Sequence, residues 1–172
     1  MNFEALANHI NAIQDTLQAQ AAHAVNLALT SRNWLMGCYI VEFEQHGEDR
    51  ATYGEQLLKK LELRLRTRGL NERRFREFRR LYLVYPQLKE DILHFVMSGN
   101  AIRHTLSAEL QKAETQVDEW HIPAVKLFNK RPYSHLKSIS KIDNPIKRAF
   151  YEMESIRGCW SAREISPIYK NN

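Results

Sequence analysis

The sequence predicts an all-α fold, a helical bundle that contains a helix-turn-helix-like unit. Three observations predict it. Glycine and proline are scarce, six and five in 172 residues, which favours long regular elements over a turn-rich β fold. Apolar residues recur at steps of three and four. And the most basic stretch, Lys59 to Arg80, separates into an apolar and a cationic side when wound at about 100° per residue.

The chain is read as one helical domain, 1–172, long enough for a single well-buried core. Within it, 1–98 forms an N-terminal bundle with the basic unit at 55–85. Residues 99–132 are a variable connector, and 133–167 are C-terminal helices. Leu6, Ile10, Ile13 and Leu17 alternate steps of four and three, and Ala21, Ala24 and Ala28 continue that seam with small residues. Such a seam fits an intramolecular hairpin or a homodimer contact, with the hairpin favoured. A second helical segment, Ser31 to Gln45, takes its apolar surface from Trp34, Leu35, Cys38, Tyr39 and Val41. His46 to Thr52 reads as a loop.

Two helices with a tight joint follow. Leu57, Leu58, Leu61 and Leu65 share one face of the first. Thr67, Arg68 and Gly69 form the break, where Gly69 can take the left-handed conformation that ends a helix. Asn71 caps the second helix, Leu70 and Phe75 stand at the spacing of a hydrophobic staple, and Glu72 sits in the first turn. Phe75, Phe78, Leu81, Tyr82 and Tyr85 share one face, and Arg73, Arg76 and Arg80 the opposite one. Pro86 ends the helix, because the residue before a proline is pushed out of α geometry. Leu88 to Met97 is helical. Ala101 to Asp118 has helical composition, and Glu119 to Pro132 reads as irregular. Asn144-Pro145 opens a helix that keeps helical spacing through Ile146, Ala149, Phe150, Met153 and Ile156 to Gly158. Ser161 to Glu164 is a capping box.

Charge is the functional signal. Lys59 to Arg80 carries ten cations against three carboxylates, a local +7 in a chain of net +5. A local, arginine-dominated patch is the footprint of a surface that meets phosphates, and guanidinium forks grip phosphate oxygens bidentately. A helix, a short glycine-containing turn and a basic helix outline a helix-turn-helix, whose second helix enters the major groove. The candidate nucleic-acid contacts are Lys59, Lys60, Arg64, Arg68, Arg73, Arg74, Arg76, Arg79 and Arg80. A competing reading is a solvated helix face paired with Glu42, Glu44, Glu48 or Asp49. Periodicity and charge alone leave the two level.

Other chemistry finds little footing. No Cys-x-x-Cys, Cys/His or His-Glu-x-x-His spacing suggests a metal, and no phosphate loop or nucleophile elbow suggests a cofactor or a hydrolase. Cys38 and Cys159 read as buried reduced thiols, pointing to the cytoplasm. The longest apolar run, Trp34 to Val41, is too short for a bilayer. Trp34 and Trp160 read as core. Trp120 is the best candidate for an aromatic stacking contact, and His135 for a core-satisfying or capping imidazole.

Several short motifs then resemble one family in order. Val25-Asn26 with Trp34, Gly37 and Ile40 looks like the opening of the helical N-terminal domain of YhcG-like proteins. Tyr53-Gly54 with Leu57, Leu61 and Leu65 resembles its Trp-Gly helix, with Tyr53 in place of Trp. Gly69 to Phe75 resembles its Gly-Phe-Ser-x-Arg-Asn-Leu segment, and Tyr85-Pro86 the end of that helix. Ser134-His135, Ala149-Phe150-Tyr151 and Trp160 to Ile165 resemble its Trp-Ser-His, Phe-Tyr and Trp-Ser-x-Arg-Glu-Leu segments. The resemblance spans roughly residues 10 to 166 and is weak from Ile92 to Arg131. In that family the domain usually precedes a PD-(D/E)XK nuclease domain. The resemblance implies a targeting module of a nuclease or defence system, with DNA the expected ligand, RNA the alternative, and a nuclease partner chain or domain. No Asp followed by an Asp/Glu-x-Lys triplet on strand-like sequence appears, so no catalytic residue is carried over and the chain is expected not to be an enzyme. The alternative is an interaction or oligomerisation module whose basic face docks an acidic partner.

Overall fold

In the computed structural model, which describes residues 2–47, 56–98, 121–158 and 164, every regular element is helical. The helices are α1 Phe3–His46, α2 Leu57–Leu65, α3 Glu72–Val84, α4 Lys89–Ser98, α5 His121–Lys130, α6 Tyr133–Ile139 and α7 Pro145–Arg157. A 3-10 turn, Pro86–Leu88, joins α3 to α4. The fold is all-α. Trp120, the Cys159–Arg163 segment with Trp160, and Ala101–Asp118 lie outside the described residues; Glu164 is helical.

α1 corrects the first expectation. It is one helix of 44 residues, with no break between the Ala28 seam and Ser31, so no hairpin forms. Residues 2–36 contain neither glycine nor proline, and nothing in them supplies the stop a hairpin needs. Thr30, Ser31 and Asn33 are buried within α1. Asn2 caps the start, accepting from the Ala5 N–H at 2.8 Å, and Gly47 closes the end through Phe43 O at 2.9 Å.

The second half of α1 is the spine of the core, and α3 packs along it. Gly37 makes the approach possible: a Cβ built there would stand 2.0 Å from the Phe78 carbonyl oxygen. Trp34 is fully buried, donates its indole N–H to Tyr85 O at 2.8 Å, and meets Tyr82 edge-on at 5.0 Å between centroids. The main cluster gathers Trp34, Leu81, Tyr85, Leu88, Ile92, Leu127, Leu136 and Ile139, so α4, α5 and α6 close over the α1–α3 crossing. A smaller cluster of Ile40, Phe75 and Phe78 receives Leu57, Leu58 and Leu61 from α2. The predicted α3 face is the buried one: Phe75, Phe78, Leu81 and Tyr85 are all within 2% of full burial.

Two further corrections follow. Residues 121–130, expected to be irregular, form α5, with Ala124, Leu127 and Phe128 buried at helical spacing; burial of that face outweighs the local breaker signals. In α7 the apolar spacing marks two different faces. Ile146, Phe150 and Met153 are exposed, while Tyr151 and Ile156 pack on the core beside buried Glu152 and Ser155. Asn144 caps α7 as expected, accepting from the Ile146 and Lys147 N–H groups at 3.0 Å, and Gly158 ends it at φ 90°. Arg131 fastens the α5–α6 joint to α7 through Ser155 O at 2.6 Å.

Candidate nucleic-acid interface

The basic residues sit on a joint built from local rules. α2 ends at Arg66, which takes the left-handed conformation (φ 46°, ψ 28°) and returns its N–H to Glu62 O. The helix therefore stops three residues earlier than Gly69, whose φ of 85° serves the turn itself. Thr67 Oγ1 donates to Leu65 O, and Leu70 N–H to Thr67 O at 3.0 Å. α3 then starts as the sequence indicates: Asn71 accepts from the Arg74 N–H at 2.9 Å. A second anion holds the same end. Glu62 of α2 accepts from the Glu72 N–H at 2.8 Å, placing a carboxylate where the first-turn N–H groups are unpaired and the dipole is positive. Leu70 and Phe75 both join the smaller cluster, closing the staple.

The nine candidate cations divide into groups. Lys59, Arg64, Arg68 and Arg74 are exposed. Arg64 rims an apolar groove of about 780 Å³ with half-buried Lys60, over Met36, Ile40, Leu61, Leu65 and Phe75. Burial holds the Tyr133 phenol well above its usual range, with Glu77 adding to the effect and the charge of Arg74 opposing it. Arg73 and Arg76 are largely exposed, at 82% and 66%. They pair along the helix with Glu77 at 3.6 Å and with Glu72, respectively. Surface pairs one turn apart contribute only about 0.3–0.5 kcal/mol and yield readily to a stronger anion.

Arg79 and Arg80 differ. Arg79 Nε bonds Glu44 of α1 at 2.6 Å, one of the acidic neighbours the competing reading named. Arg80 reaches across to the turn after α6, donating to Ser140 O at 2.8 Å and Lys141 O at 3.4 Å and pairing with Asp143. Both guanidinium groups tie α3 to the rest of the fold.

Arg73, Arg76 and Arg80 do share one face, and that face opens on a recess of about 420 Å³. Its opposite wall comes from a distant part of the chain. α6 and the turn behind it bring Lys137, Ser140, Lys141 and Asp143 against α3. Lys137 Nζ reaches Glu77 at 2.9 Å. The recess is thus lined by five cations and two carboxylates, a net of +3. The i, i+4 spacing of Lys137 and Lys141 was visible, but only the packing of α6 places it beside α3.

Elsewhere the described residues hold no group of three or more His, Cys, Asp or Glu side chains that could bind a metal ion. No helix among them is long and apolar enough to cross a membrane. Cys38 is buried, and burial pushes its thiol up to about 11. His135 is buried beside Leu136 at the start of α6.

The sequence matches the DUF1016 N-terminal domain over residues 9–172. The chain belongs to this family. It is also 34% identical over 158 residues to a protein of Escherichia coli (strain K12) named "Putative nuclease YhcG". That alignment takes in 88% of this chain and 40% of the relative, so the chain spans less than half the length of the protein it matches. No solved structure matches the chain. The DUF1016 N-terminal domain here is therefore an all-α unit, and its similarity to the E. coli protein lies within that 40%.

Proposed function

We propose that this DUF1016 N-terminal domain binds nucleic acid, duplex DNA first, through its phosphate backbone, and targets a nuclease carried on the same polypeptide or on a partner chain. One observation supports it most directly: exposed Arg73 and Arg76 converge with Lys137 and Lys141 on one recess of net +3. The exposed Lys59, Arg64 and Arg68 continue the positive charge along α2 and the turn. Contacts of this kind set position and affinity and carry no sequence code. The α2–turn–α3 unit supplies the outline of a helix-turn-helix, and the name of the E. coli relative supplies the nuclease context. Cleavage is assigned in this reading to the nuclease, and none of the nine cations has a catalytic role.

The test is fluorescence anisotropy with duplex DNA across a salt series. Arg73→Gln/Arg76→Gln keeps the side-chain stems and removes two charges. Each lost phosphate contact should flatten the log–log salt slope by roughly 0.9, so the double variant should lose close to two. An unchanged slope removes α3 from the interface. A second reading rests on the apolar groove rimmed by Lys60 and Arg64: its charge fits an acidic amphipathic segment of a protein partner. Absence of DNA and RNA binding at low salt would favour it.

A further inference from the structure

We propose that the N-terminal half of α1 pairs with the same segment of a second copy of this chain, antiparallel, about a two-fold axis at Leu17. The starting point is an exposed stripe. Leu6, Ile10, Ile13 and Leu17 are 40, 56, 59 and 58% exposed, and Ala21, Ala24 and Ala28 are exposed as well. All seven fall within about 40° of one line along the helix. Large aliphatic side chains in that arrangement are a contact surface, and a helix of this length draws most of its stability from packing such a face.

The spacing identifies the occupant. The steps from Leu6 to Ala28 are four, three, four, four, three and four, the same read in either direction from Leu17. A two-fold contact is isologous, so residue i meets j and j meets i. With Leu17 on the axis, Leu6 meets Ala28, Ile10 meets Ala24, Ile13 meets Ala21, and Leu17 meets Leu17. Every large side chain except those on the axis lies opposite an alanine, the alternation that fills the space between two helices without voids or clashes. A parallel pairing would instead stack leucine and isoleucine at one end and leave alanine against alanine at the other.

Charge and shape agree. The only Asp or Glu in residues 2–29 are Glu4 and Asp15, and both fall on the far side of the helical wheel from the seam. Antiparallel packing also sets the two helix dipoles in opposition, which is favourable. The body approaches from one side: His23, about 120° round the helix from the seam, has its Nε2 bonded to Asn129 O of α5 at 2.7 Å, and the seam stays exposed as far as Ala28. Burial against the body begins at Leu27 and is complete at Thr30, so the partner's Leu6 reaches Ala28 just before the body closes in. The two bodies sit at opposite ends of the pair. This pairing is independent of the nucleic-acid reading.

The experiment uses the full 172-residue chain in sedimentation equilibrium and oxidative cross-linking. A mass twice that of the 20.2 kDa chain is expected. Leu17→Glu places two carboxylates face to face on the axis and should raise the dimer Kd by at least ~100-fold. Leu17 is exposed in the single chain, so the body should stay folded, read as an unchanged near-ultraviolet circular dichroism signal from buried Trp34. Leu17→Cys alone should cross-link to itself, and Ile10→Cys alone should not. Mixed Ile10→Cys and Ala24→Cys chains should cross-link to each other; the wild type, with Cys38 and Cys159, sets the background. A monomer at all soluble concentrations overturns the proposal. So does a dimer that survives Leu17→Glu, or self-linking of Ile10→Cys as efficient as that of Leu17→Cys, which would mean parallel pairing.

Discussion

The backbone of Gly37 runs so close to Phe78 that a methyl group at Gly37 would stand 2.0 Å from the Phe78 carbonyl oxygen and 2.6 Å from its carbon. The obstacle is backbone, which cannot rotate away as a side chain can. Gly37→Ala must therefore separate α1 from α3, and with them the core residues Trp34, Leu81 and Tyr85. The expected loss is about 1–3 kcal/mol or more, the usual cost of overpacking, read as a lower urea midpoint. A stability unchanged by Gly37→Ala would show that the helices cross at a greater distance.

Arg73 and Arg80 lie two turns apart on α3 and have different tasks. Arg80 satisfies two carbonyls of the turn after α6 as well as Asp143. Arg80→Ala removes these bonds and should cost about 1–2 kcal/mol. Arg73→Ala gives up one pair at 3.6 Å and leaves Lys137 on Glu77, so it should stay within about 0.5 kcal/mol of wild type. Thermal unfolding of the two variants separates them, and equal losses would mean that Arg80 is not a tether. Binding measurements on Arg80 variants must be read with this in mind.

Glu152 carries the pH dependence most open to test. It is buried in α7, and burial raises its carboxyl above the usual value of 4.5, with Tyr85 and Arg148 opposing the shift. The folded state then holds its proton more tightly than the unfolded chain does. Stability falls as pH rises through the window from the unfolded value to the raised folded one. Glu152→Gln should remove that fall and raise the melting temperature at neutral pH. A wild-type melting temperature that climbs through that window, with no effect of Glu152→Gln, would place the charge in a better-solvated site.

Much of the architecture was legible because local rules and tertiary packing agree. The Asn71 cap, the Leu70–Phe75 staple, the Phe75–Tyr85 face, the stop at Pro86 and the start at Asn144-Pro145 all appear where sequence places them. Each depends on residues within a few positions of one another. The continuity of α1 was hidden because its apolar surface changes at Ser31, from the small-residue seam ending at Ala28 to the larger residues from Trp34 on, and a change of packing partner looks like a change of element. α5 was hidden by Pro123 and Pro132, which read as breakers when only the local sequence is weighed. The site was harder still. Nine cations could be named, yet which of them tether α3, and that Lys137 and Lys141 complete the recess, depend on residues 35 to 60 positions away. A helical wheel shows which side of a helix is basic and leaves open what stands opposite.

The length of α1 has one more consequence. A helix is a ruler, advancing about 1.5 Å per residue. Gly37, where α1 crosses α3, is 20 residues beyond Leu17. In an antiparallel pair centred on Leu17 the two crossings would stand 40 residues apart along the rod, roughly 60 Å. Duplex DNA covers that distance in roughly 18 base pairs. The unbroken helix would thus fix how far apart two backbone-gripping faces act, and inserting or deleting residues in α1 would change that reach without altering either face.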